Sequence, residues 1–150
     1  MIITEEIFKP IIGTSNQYSI SNFGNIVSNR CKKQIVMSKN RCRQGYELIS
    51  IYIDKERKAF SVHRLVAIHF LENPNSLETV NHIDGIKHNN HVSNLEWCSL
   101  SENIKHSYSI GLRDNKGERG NTAKLKNEDV LQIRILRSKS KMKLLEIGKL

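Results

Sequence analysis

Residues 80–106 read VNHIDGIKHNNHVSNLEWCSLSENIKH, and few folds accommodate such a run. Val80-Asn81-His82 ends a strand, because a β-branched residue leads into the turn-forming pair Asp84-Gly85. Leu95-Glu96-Trp97-Cys98 alternates apolar and polar positions, as a returning strand does. Ser99 and Glu102 have the spacing of a capping box, so a helix opens there with Ser99 as its N-cap. That helix carries Asn103 and His106 three residues apart on one face. Two strands and a helix thus set a strand-end histidine opposite two helix-borne side chains of ligand type. The arrangement suits metal-assisted hydrolysis of a phosphodiester.

This segment resembles the ββα-metal core of HNH endonucleases of the homing type, common in bacteriophage and intron sequences. HRLVAIHF at His63–Phe70 precedes it, and NHVSNLEW at Asn90–Trp97 and SENIKH at Ser101–His106 follow within it, in the order and at about the spacings of that family. YSISNFGNIV at Tyr18–Val27 is similar to a nuclease-associated modular motif that begins many such proteins. The matches run from about residue 5 to residue 110. They imply an α+β fold, with a small antiparallel β-rich DNA-binding module over residues 1–60 and an HNH core over 61–110. A linker over 111–122 and a basic helical tail over 123–150 would follow. The tail resembles the opening of the helix-turn-helix attached to many phage HNH enzymes, with Leu144–Leu150 as its second helix. In that reading it is truncated where a recognition helix is expected; a plain amphipathic helix with a basic face is the alternative.

The resemblance also implies roles. His82 is the general base, since imidazole titrates near neutral pH. Asn103 and Asn81 are the metal ligands, His106 a secondary nitrogen ligand. At the position of Asn81 the family often has Asp, so here both protein oxygens are uncharged and the cation depends more on substrate phosphate. Mg²⁺ is the expected metal and Mn²⁺ the alternative. Asn94 braces the loop through hydrogen bonds, Asp84-Gly85 forms the turn, and Trp97 fills the small core. Asn89 and Asn90 read as turn formers, and His88 and His91 as exposed loop residues. Arg64 either contacts phosphate or braces the loop.

Charge bears on the partner. The chain carries 24 Lys+Arg against 15 Asp+Glu, a net +9, which points to a polyanion. Residues 30–43 hold six basic residues and no acidic one, and residues 113–150 hold eleven basic against five acidic. Basic stretches thus flank a nearly neutral centre, as expected where arms hold a phosphate backbone and a separate site acts on it. Arg30, Lys32, Lys33, Arg41, Arg43, Arg64, Lys124 and Lys126 are the candidate contacts to double-stranded DNA.

Cys31, Cys42 and Cys98 form no CxxC pair, so neither a disulfide framework nor a structural zinc is expected. Met1–Glu6 shows no basic-then-apolar signal and no apolar run approaches spanning length, so no membrane partner and a cytoplasmic location are expected. A metal-dependent DNA endonuclease is the leading reading. A catalytically silent DNA-binding protein on the same scaffold is the alternative; an RNA-binding protein would rest on charge alone. Monomer and dimer stay open, the first suited to nicking and the second to a double-strand break.

Overall fold

Short apolar runs between turn residues build the N-terminal region of the computed structural model, which describes residues 5–113 and 124–140. Strands β1 (Phe8–Pro10), β2 (Tyr18–Ser21), β3 (Ile26–Ser28) and β4 (Ile35–Val36) form an antiparallel sheet in sequence order. A second sheet follows, of β5 (Asn40–Arg41), β6 (Glu47–Ile53) and β7 (Glu56–Ser61). β4 and β5 lie in the basic stretch 30–43. β7 starts directly after the turn at Asp54-Lys55. Asp54 and Lys55 both take positive φ (52° and 66°), which closes a two-residue hairpin whose twist matches the strands.

Helix α1 spans Val62–Phe70 and buries Val62, Leu65, Val66 and Ala67. It packs on β2, β6 and β7, and also on a third, two-stranded sheet of β8 (Thr79–His82) and β9 (Leu95–Cys98). One core joins Ile20, Ile26, Ile49 and Ile51 of the N-terminal sheets to α1 and to Val80, Val92 and Leu95 of the hairpin. The core is continuous across residue 60. Ile20, Ile26 and Ile51 are fully sealed, and each such side chain contributes roughly 2 kcal/mol by leaving water. Trp97 is half-buried against this core.

The capping box forms as expected. The Glu102 carboxylate accepts from the Ser99 N–H (2.8 Å) and hydroxyl (2.7 Å), and the Glu102 N–H donates back to Ser99 Oγ (3.3 Å). It opens α2 (Leu100–Ser109). Residues 1–107 form one compact unit and 108–150 a second. In the second, α3 spans Asn127–Ser140, and the Lys126 N–H donates to the Asp129 carboxylate (2.9 Å) at its first turn. Residues 114–122 of the expected linker and the expected second helix Leu144–Leu150 lie outside the described residues. No helix among the described residues is long and apolar enough to cross a membrane.

Gly24 is required twice over. Its φ is +81°, and a Cβ there would lie 2.8 Å from Asn90 Cβ and 3.3 Å from Val62 Cγ1. Gly24→Ala is therefore expected to cost about 2 kcal/mol, from left-handed strain plus overpacking, read as a lowered denaturation midpoint.

Candidate active site

The β8–β9 hairpin places the candidate base. His82 pairs with Leu95 and Asn81 with Glu96 across the two strands. Side chains of successive strand residues leave on opposite faces, and the contacts follow suit. His82 is 4% exposed and lies against Tyr46 and His63, with ring centroids 5.9 and 5.1 Å away. Its Nε2 meets Asn90 Oδ1 at 3.3 Å. Its Nδ1 has no hydrogen-bond partner among the described residues. The sealed polar atoms without a partner there are His63 Nδ1 and Trp97 Nε1, so His82 Nδ1 keeps solvent access.

Electrostatics favour the neutral ring. Burial holds the His82 imidazole below the ordinary histidine value; Asn90 and the Asp84 carboxylate oppose that, while His88 and Lys87 reinforce it. His63 is pushed down to about 4, first by burial and then by the positive charge that His82 and Arg64 can carry.

Asn81 donates from Nδ2 to Glu96 Oε1 at 2.8 Å. That bond turns the amide oxygen away from Glu96 and leaves it available as a hard donor. On α2, Asn103 is half-buried in the first turn, its N–H held by the Ser99 carbonyl at 3.1 Å, and its side-chain amide bonds nothing among the described residues. His106 lies half-buried one turn on. Among the described residues no three His, Cys, Asp or Glu side chains converge. Asn81 and Asn103 offer amide oxygens, which suit Mg²⁺ or Mn²⁺ better than zinc.

The loop between the strands is braced by Asp84 and Asn94. Asp84 Oδ1 accepts from the Ile86 N–H (2.8 Å) and from Asn94 Nδ2 (2.9 Å), and its Oδ2 accepts from Asn89 Nδ2 (2.7 Å). The Asp84 N–H donates to Asn94 Oδ1 (3.1 Å), and Asn94 Nδ2 also reaches the Asn89 carbonyl (2.9 Å). Desolvation raises the Asp84 pKa, but these bonds outweigh it and hold the carboxyl below its usual range. His91 does more than sit exposed: it caps the short 3-10 turn Val92–Asn94 through Ser93 and lies 4.8 Å from the Phe23 ring.

Asn90 is a correction. It is 3% exposed, not a turn former at the surface, and it bonds both His82 and Glu47. Its spacing from His82 carried no signal for this. Lys39, counted by sequence among the basic arm, instead pairs with Glu47 at 2.8 Å. Arg30, Lys32, Lys33, Arg41, Arg43, Arg64, Lys124 and Lys126 are exposed. Arg30 lies over the Tyr52 ring at 5.8 Å, and Arg64 donates to the Glu78 carbonyl at 3.1 Å.

Residues 6–52 match the NUMOD4 motif. The chain is 35% identical over 121 residues to the DNA endonuclease I-HmuI of Bacillus phage SP01, covering 81% of this chain and 68% of that one. It is 41% identical over 92 residues to an uncharacterized HNH endonuclease of Acanthamoeba polyphaga mimivirus, covering 61% of this chain. It spans 27% of the length of that protein and of a second mimivirus relative. A solved structure of I-HmuI, described as showing DNA binding and cleavage by that HNH homing endonuclease, superposes with a TM-score of 0.62 at 30% identity, covering 88% of this chain and 68% of the other. A hairpin-and-helix core joined to a NUMOD4 region, with relatives of this kind, places the chain in the HNH homing endonuclease family.

Proposed function

We propose that the chain is a metal-dependent endonuclease that hydrolyses a phosphodiester bond in double-stranded DNA, with His82 as general base. The observation that carries this is the state of His82: buried, biased to the neutral ring, and hydrogen-bonded at one nitrogen while the other keeps solvent access. A base must be unprotonated and have a nitrogen free to reach the water it activates. Asn81 and Asn103 would hold the divalent cation, with His106 as a further donor. When bound, the cation stabilises charge on the phosphate and on the departing 3′ oxygen.

The chain's own residues do the rest. His82 takes a proton from water through its open nitrogen. The Asp84–Asn94 bracing keeps the loop after His82 in one conformation, so the ring is presented without reorganisation. A phosphodiester within reach of His82 would lie at the end of β8, where the strand opens into the loop. Arg30, Lys32, Lys33, Arg41 and Arg43 on the first unit, and Lys124 and Lys126 on the second, would bind flanking phosphates with a strong dependence on salt.

The test is conversion of supercoiled plasmid to nicked or linear form by purified protein. Product that needs Mg²⁺ or Mn²⁺ and vanishes with chelator is the expected result. Asn81 in place of a carboxylate favours the silent reading, a DNA-binding protein without cleavage. Salt-sensitive binding with no cleavage under either metal would establish that one instead.

A further inference from the structure

The side chains behind His82 form a chain that crosses into the N-terminal sheets. His82 Nε2 meets Asn90 Oδ1 at 3.3 Å, and Asn90 Nδ2 donates to Glu47 Oε2 at 2.8 Å. Lys39 Nζ lies 2.8 Å from the same Glu47 oxygen and donates also to the Gly24 carbonyl at 3.3 Å. Asn90 and His82 are both buried, and Glu47 is the first residue of β6, within the NUMOD4 region.

The chemistry of each link allows only one arrangement. An asparagine amide can be turned either way, so its neighbours decide which end faces where. A carboxylate only accepts, so the Asn90 NH₂ must face Glu47. The His88 carbonyl, 3.3 Å from the same nitrogen, also only accepts. The Asn90 oxygen is thereby left facing His82, and an oxygen only accepts. Nε2 of the neutral ring must then carry the hydrogen, and Nδ1 the lone pair.

We infer that Glu47 is a positioning residue: acting through Asn90, it holds His82 in the Nε2–H tautomer and leaves Nδ1 as the nitrogen that takes the proton. The inference rests on the reading of His82 as base. It gives the N-terminal region a part in catalysis besides any contact with DNA. Lys39 keeps the Glu47 oxygen turned toward Asn90.

The experiment reads the tautomer directly, by long-range ¹H–¹⁵N correlation at His82 in the full chain without metal or DNA, at a pH where the ring is neutral. Wild type should show a protonated Nε2 and an unprotonated Nδ1. Glu47→Ala should show a mixture, with kcat for plasmid nicking down about 10- to 100-fold and KM little changed, the scale seen when an orienting partner is removed. Glu47→Gln should retain the wild-type tautomer, since its amide oxygen, selected by Lys39, can replace the carboxylate oxygen. Should Glu47→Ala not fold, the paired change Lys39→Met with Glu47→Leu is read in its place, because exchanging both charges for apolar groups is often neutral for stability. A wild-type Nδ1–H tautomer, or an unmoved tautomer in Glu47→Ala or the paired variant, overturns the inference. Undiminished nicking by His82→Ala would instead remove the base assignment, and the tautomer result would still stand or fall by itself.

Discussion

His82→Ala is expected to lose plasmid nicking by about 10²- to 10⁴-fold, the range a well-placed general base supplies. The imidazole touches Tyr46, His63 and Asn90, so its removal also opens a small hole, and thermal denaturation must show the variant folded. Binding to the same DNA at low salt should stay near wild type, because the candidate phosphate-binding side chains are exposed cations elsewhere on the chain. Loss of cleavage with retention of binding separates a base from a DNA anchor. The pH profile adds a second check. A base works when unprotonated, and burial holds His82 below the ordinary histidine value. The acid limb of kcat/KM should therefore lie below pH 6.5, with activity retained as the pH drops past that value and lost only as it falls through the lowered pKa. An acid limb above 6.5, or cleavage by His82→Ala at the wild-type rate, would remove His82 from this role.

What could be read from sequence and what could not divide along the range of the interactions. Leu95–Cys98 shows as a strand through its apolar alternation, Val80–His82 through a β-branched residue leading into a turn, and the Ser99–Glu102 cap through a spacing of three. Asn94 as the brace of the loop came from a resemblance that specifies local order, and its partners Asp84 and Asn89 are within ten residues of it. Asn90 looks the same as Asn89 in the sequence, yet one bonds within the loop and the other reaches Glu47, 43 residues away. No periodicity encodes that contact. Lys39 differs for the same reason: it belongs to a stretch with six basic residues and no acidic one, while its partner Glu47 arrives from β6. The seven-residue β6 carries alternating apolar residues, but the place where β7 begins depends on positive φ at Asp54 and Lys55, which neither residue type demands. His63 carried the least warning. It stands beside an arginine in a helix start, where an exposed polar residue is the ordinary expectation, and tertiary packing buries it against His82.

That burial makes the fold acid-sensitive in a defined window. His63 is 8% exposed, its Nδ1 has no partner among the described residues, and its pKa falls from 6.5 to about 4. Among the described residues no anion touches it: His82 and Tyr46 are its ring neighbours, Arg64 is adjacent, and the Lys87 ammonium lies over the Tyr46 ring at 5.0 Å. The unfolded chain therefore binds a proton at this residue before the folded chain does. Above pH 6.5 neither state is charged at His63 and stability is at its full value; as pH falls from 6.5 toward 4 the unfolded state gains the proton and stability declines; below 4 both states are protonated and the loss levels off. A shift of this size corresponds to about 3 kcal/mol across the window. His82, lowered in the same direction, adds to the decline, so the wild-type curve alone does not isolate His63. The difference between wild type and His63→Leu does. Denaturant melts at intervals from neutral pH down to about pH 4 should show the variant losing markedly less stability than wild type, because leucine fills the site and cannot charge. Parallel stability curves for the two proteins would mean that the buried imidazole takes up its proton in the folded state almost as readily as in water, and the packing of His63 against His82 would then not be the source of the acid sensitivity.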